Sequence, residues 1–104
     1  SFYHGMMLGL CAILSNQYQI KSNRESGLGR FDIQLIPLAK EIPGFIFEFK
    51  YTKDPHIDLE SLADSALKQI EEKKYDTELL DAQVHSIVKI GIAFCGKKAV
   101  VKRS

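Results

Sequence analysis

Two short apolar runs, Arg30-Phe-Asp-Ile-Gln-Leu-Ile36 and Gly44-Phe-Ile-Phe-Glu-Phe-Lys-Tyr51, alternate at period two and carry charges inside them. Such alternation marks strands, and residues 38–44 between them are of hairpin length, with Pro43 and Gly44 as breakers. Opposed residues of an antiparallel pair share a face. A turn centred on Lys40 therefore sets Asp32 opposite Glu48 and Arg30 opposite Lys50, making one polar patch. Phe31, Ile33 and Leu35 then share the other face with Phe45, Phe47, Phe49 and Tyr51. A one-residue slip would exchange the faces and bury the charges, so burial is expected to lock the register.

The remaining elements follow from periodicity. Residues 2–15 read as a helix, 18–24 as a short strand, 31–37 and 45–52 as the two strands of the hairpin. Residues 25–30, with Gly27 and Gly29, read as a turn-rich loop; its Gly-x-Gly precedes a strand and is no nucleotide fingerprint. The period then changes. Leu59, Leu62, Ala63, Ala66, Leu67 and Ile70 form the stripe of an amphipathic helix that Asp58 can cap. Residues 86–95 are β-branched and apolar, and Gly96-Lys97-Lys98 turns them into a last short strand, 99–102. The predicted order is α, β, β, β, α, β, β. Three consecutive strands make an antiparallel meander, and the helix between the third and fourth lets the fourth return parallel by a right-handed crossover. The fourth strand, apolar on both faces, is expected at the centre of this mixed sheet with helices covering it.

With 104 residues, 45% of them hydrophobic, the chain suits one compact domain. Lys plus Arg (14) nearly balance Asp plus Glu (13), so no strong global field draws it to nucleic acid, and attraction must come from local patches. Cys11 and Cys95 lack partner spacing and read as free thiols of a reducing compartment, which makes the cytoplasm the expected location. The apolar stretch 2–14 is too short to span a bilayer and lacks the flanks of a signal peptide. It reads as a helix buried on most of its surface, more than so small a domain can cover, and the chain is accordingly expected to be a fragment of a larger protein.

The polar patch suits metal chemistry. Mg²⁺ is satisfied by one or two carboxylates, waters and a substrate phosphate. Asp32 and Glu48 on strands about 4.8 Å apart can converge on one such ion, with the Phe49 carbonyl as a further ligand. Lys50, roughly 6.6 Å along the same face, can position or help deprotonate a water or stabilise developing charge. Arg24, Arg30 and Lys50 can contact phosphate, although isolated surface basics usually only solubilise. Lys97, Lys98, Lys102 and Arg103 read as a solvated basic end, and His4, His56 and His85 have no ligand spacing. Spacing alone proves little, because Glu71-Glu72-Lys73 repeats Glu-x-Lys on a helix, where it reads as solvated charge. From the residues alone, a cross-strand ion pair and a catalytic site both remain open.

Asn23-Arg-Glu-Ser-Gly-Leu-Gly-Arg-Phe-Asp32, Gly44-Phe-Ile-Phe-Glu-Phe-Lys50, Ala66-Leu-Lys-Gln-Ile-Glu-Glu-Lys-Lys-Tyr75 and Gly91-Ile-Ala-Phe-Cys-Gly-Lys97 together resemble the PD-(D/E)xK nuclease superfamily over nearly the whole chain. More narrowly they resemble the small domain that ends many bacterial AAA-ATPase-like proteins. The resemblance implies an α/β (α+β) fold with a restriction-endonuclease-like αβββαβ core, a mixed sheet flanked by helices. It implies a nuclease using Mg²⁺ or Mn²⁺, with Asp32 and Glu48 as metal ligands and Lys50 as catalytic lysine. It adds Gln69, on the helix after the motif strand, to the catalytic set. The implied partners are nucleic acid, with DNA the expected form, and an ATPase domain in the same protein, without a membrane. The alternative is a catalytically degenerate nucleic-acid-binding or protein-interaction domain attached to that ATPase. Two positions depart from the pattern. Phe31 stands where the superfamily's name has proline, and the first helix offers no carboxylate, only His4, leaving Glu25 as the candidate extra acid.

Overall fold

The computed structural model describes residues 2–25, 30–73 and 84–104. The elements run α1 (Phe2–Ile13), β1 (Tyr18–Glu25), β2 (Arg30–Pro37), β3 (Gly44–Tyr51), α2 (Leu59–Lys73), β4 (Ile87–Cys95) and β5 (Lys98–Arg103), the order that the periodicity predicts. The strands form one mixed sheet in the order β1-β2-β3-β4-β5. Only β3 and β4 run parallel, joined by the α2 crossover; the other neighbours are antiparallel. A two-residue turn with Gly96 at φ 58° closes the β4–β5 hairpin, a left-handed conformation that glycine adopts without strain.

The centre of the sheet is β3, not β4 as its apolar sequence suggests. Two strands of the meander stack outside β3 and only β5 stacks outside β4, so β4 stands one place off centre.

The hairpin register is the predicted one, with Asp32 opposite Glu48 and Arg30 opposite Lys50. The odd-numbered face of β2 and β3 carries a core of Phe31, Ile33, Leu35 and Phe49 with Cys11, Tyr18 and Phe94. Phe31 and Phe49 stack at 4.4 Å between ring centroids, and the Tyr18 hydroxyl donates to the Pro43 carbonyl at 2.9 Å. A second cluster of Ile36, Ile46, Ile70 and Val84 fills part of the opposite face.

α2 covers that opposite face. Asp58 caps it, its carboxylate accepting from the Glu60 amide at 3.2 Å and the Ser61 hydroxyl at 2.8 Å. The stripe read from the sequence is buried at Ala63, Ala66 and Ile70. Gly91 of β4 lets the helix come this close. A Cβ there would lie 2.5 Å from the Ala63 carbonyl oxygen and 2.7 Å from the Leu67 amide nitrogen, both main-chain atoms that a rotamer change cannot move.

α1 is covered on one side only. Cys11 is buried and Met7 packs on the first core, but Leu10 is 49% and Ile13 75% exposed. A helix apolar all round can hand a sheet only one side, so its other side stays open. No helix among the described residues is long and apolar enough to cross a membrane. Both cysteines are free, and burial pushes the Cys11 thiol up from its ordinary pKa.

Gly91→Ala is expected to lower stability by about 1–3 kcal/mol through forced displacement of α2, measured as a shift in urea midpoint with m unchanged. A midpoint equal to that of the wild type would show that the helix moves away freely.

Candidate metal and phosphate site

The even-numbered face of the hairpin brings Asp32 and Glu48 together under α2. The expectation that only a register slip would bury these charges is overturned: in the predicted register Asp32 is 1% and Glu48 0% exposed. The odd-numbered face carries the aromatic core, and on the even-numbered face α2 packs over β3 while Ile36 of β2 joins Ile46 and Ile70, so the polar patch is an interior one. Among the described residues, neither carboxylate oxygen of Glu48 has a hydrogen-bond partner. Across β3, Glu48 pairs with Gly91, whose missing side chain admits α2.

Two residues farther along each strand, Arg30 and Lys50 form the rim. Arg30 Nη1 donates to Gln69 Oε1 at 3.3 Å, and Lys50 Nζ donates to Ser65 Oγ at 3.1 Å. The Ser65 hydroxyl itself donates to the Leu62 carbonyl at 2.7 Å, which leaves its lone pairs for Lys50. These groups, with Lys68 and Glu72, line a cavity of about 390 Å³. Three cations and one carboxylate at its walls suit an anionic ligand.

Gln69, expected from the resemblance, lines this cavity and accepts from Arg30, and it is 8% exposed. Phe49 sits between Glu48 and Lys50, its ring on the other face against Phe31, so only its main chain belongs to the polar side. Arg24 and Glu25 pair in register with Phe31 and Arg30, and their side chains lie outside the described residues. The charges of the α2 Glu-Glu-Lys repeat are not all idle: Glu71 pairs with Lys89 at 3.0 Å, and Glu72 lines the cavity. Two residues escaped the sequence reading. Gln34 is buried on the Asp32 face, a position that its i+2 spacing from Asp32 already signals; Gly91 became visible only once β3 and β4 were paired.

The electrostatics are those of two carboxylates sharing a buried site. Burial, and then the charge of Asp32, push Glu48 up to about 8 against the weaker pull of Lys50 and Arg30. Lys50 is lowered by its burial and by Arg30, with Glu48 and Glu72 opposing. A hard divalent cation would supply what Lys50 and Arg30 do not, a ligation partner for the buried Glu48 oxygens. Among the described residues there is no group of three or more His, Cys, Asp or Glu side chains that could hold a metal. Two carboxylates are nonetheless within the number Mg²⁺ uses.

A family model of the PD-(D/E)XK nuclease superfamily matches residues 1–104. The chain belongs to this superfamily. No curated protein and no solved structure matches it significantly. The PD-(D/E)XK membership accords with the mixed sheet and its two helices. It also gives meaning to Phe31: where the superfamily's name has proline, this chain has a ring that stacks in the core.

The raised Glu48 pKa has a signed consequence. Between about pH 4.5 and 8 the folded chain keeps a proton that the unfolded chain releases, so stability falls as pH rises through that window. In EDTA the unfolding free energy is expected to drop from pH 5 to pH 8, with a slope approaching about 1.4 kcal/mol per pH unit, read as a falling urea midpoint. Glu48→Gln is expected to flatten that slope and to raise stability at pH 8. A wild-type profile already flat over this range would show that Glu48 is ionised and satisfied.

Proposed function

We propose that this domain is a divalent-metal-dependent nuclease that hydrolyses phosphodiester bonds of nucleic acid, with DNA the expected substrate. The observation that carries the reading is Glu48, wholly buried opposite Asp32 with neither oxygen hydrogen-bonded among the described residues. Asp32, Glu48 and the Phe49 carbonyl are the groups that would hold Mg²⁺ or Mn²⁺. When bound, the ion supplies Lewis-acid polarisation of the phosphate and a lowered pKa for the attacking water.

The chain's own residues do the rest. Lys50, held at the rim by Ser65, places an ammonium where charge develops on the phosphoryl oxygens. Its lowered pKa makes that ammonium a readier proton donor than an exposed lysine. Gln69 fixes the Arg30 guanidinium, a fork suited to two phosphate oxygens, and Lys68 adds a third cation to the cavity wall. Arg24 is a further candidate phosphate contact. Glu25 is the candidate extra acid. The domain is proposed to act in the cytoplasm, beside an ATPase domain of the same protein.

One observation favours a second reading, a degenerate site that still binds nucleic acid or a protein partner: α1 carries no carboxylate. Asp32→Ala, Glu48→Ala and Lys50→Ala are each expected to abolish Mg²⁺-dependent cleavage of single- and double-stranded DNA while salt-sensitive binding persists. Cleavage at wild-type rate in any of the three would remove that residue from the reaction. Salt-sensitive binding by a wild type that cuts neither DNA nor RNA would favour the degenerate site.

A further inference from the structure

Gln34 is the buried polar group that the proposed roles leave unused. It lies two residues from Asp32 on the same face of β2 and is 4% exposed. Its Oε1 is buried and has no hydrogen-bond partner among the described residues. Its cross-strand neighbours are Lys21 on β1 and Ile46 on β3, and the next residue of its own face is Ile36. Ile36 and Ile46 belong to the apolar cluster. The amide therefore stands at the border where the apolar cluster gives way to the carboxylates.

Buried amide oxygens normally find a donor. On this face Ile36 and Ile46 offer none, Lys21 is exposed, and Asp32, two residues away, brings further oxygens. Gln34 Oε1, Glu48 Oε1 and Glu48 Oε2 are all oxygens, all buried, and none has a donor among the described residues. A collection of oxygens without donors is the composition of a hard-cation shell, in which carboxamide and carboxylate oxygens serve together. We infer that Gln34 Oε1 is a third side-chain ligand of the divalent cation, joining Asp32 and Glu48. The inference rests on the metal-site reading above and extends it by one residue. It also answers the shortage of acids, since an amide oxygen adds a ligand without adding a like charge to two buried carboxylates.

The competing arrangement turns the amide round, so that its NH₂ donates to a carboxylate. In that case Gln34 supports the metal-free fold and is dispensable for the ion. The test titrates the chain with Mn²⁺ at pH 8 and reads free Mn²⁺ by electron paramagnetic resonance, with a melt of each variant in EDTA. Gln34→Met keeps the volume and removes the oxygen; Gln34→Glu restores an oxygen there. The expected result is Mn²⁺ affinity weakened by about tenfold or more in Gln34→Met and equal to wild type or tighter in Gln34→Glu. The metal-free melt of Gln34→Met should stay at or above that of the wild type, because an oxygen without a donor is removed.

Affinity within about twofold of wild type in Gln34→Met overturns the inference, and so does a weakened Gln34→Glu. If Gln34→Met does not fold, Gln34→Glu alone decides by the same criterion. Asp32→Asn and Glu48→Gln separate the two levels. If they abolish Mn²⁺ binding and Gln34→Met does not, Gln34 alone is wrong; if wild type binds no better than they do, the metal site falls and Gln34 with it.

Discussion

Everything near the site depends on two carboxylates being taken out of water side by side. Asp32 and Glu48 face each other across the β2–β3 ladder, and α2 closes over them. Two like charges in a buried place are unfavourable, and the protein's own cations do not cancel the effect, since Glu48 stays raised to about 8 despite Lys50 and Arg30. A purely structural patch would gain from replacing such groups by apolar ones of similar volume. Their presence beside a well-packed aromatic core makes sense when something positive completes them.

That burial is purchased with small residues elsewhere. α2 lies over the site because Ala63 and Ala66 present no bulk to the sheet and Gly91 presents none to the helix. The same helix carries Ser65 and Gln69, which reach Lys50 and Arg30. Core packing and rim geometry are therefore one constraint, and a displacement of α2 would loosen both hydrogen bonds together. Stability and chemistry cannot be tuned separately along this helix.

The hairpin was legible because strand parity is strict: once the turn is placed, Asp32, Glu48, Arg30 and Lys50 share a face and the phenylalanines share the other. The element order was legible because the hydrophobic period changes from two to 3.6 and back. What sequence could not show was depth. Apolar composition put β4 at the centre, yet position in a sheet depends on how many strands stack outside. The burial of Asp32 and Glu48 escaped for the same reason, since alternation tells which face a residue takes and not whether a helix covers that face. Gln34 was hidden among apolar neighbours, although its parity was as plain as that of Asp32.

The two departures from the superfamily pattern have different weight. Phe31 substitutes for a residue on the core side, where its stacking on Phe49 fixes the strand pair that carries Asp32 and Glu48. It preserves the site by packing. The missing carboxylate on α1 removes charge, and in an interior where Asp32 already helps to hold Glu48 protonated, another acid would raise the pair's demand for a cation further. A neutral oxygen ligand from β2 meets a cation's need for coordination without that penalty. An unusual residue such as Gln34 is therefore read more usefully against what its neighbours lack than against a motif.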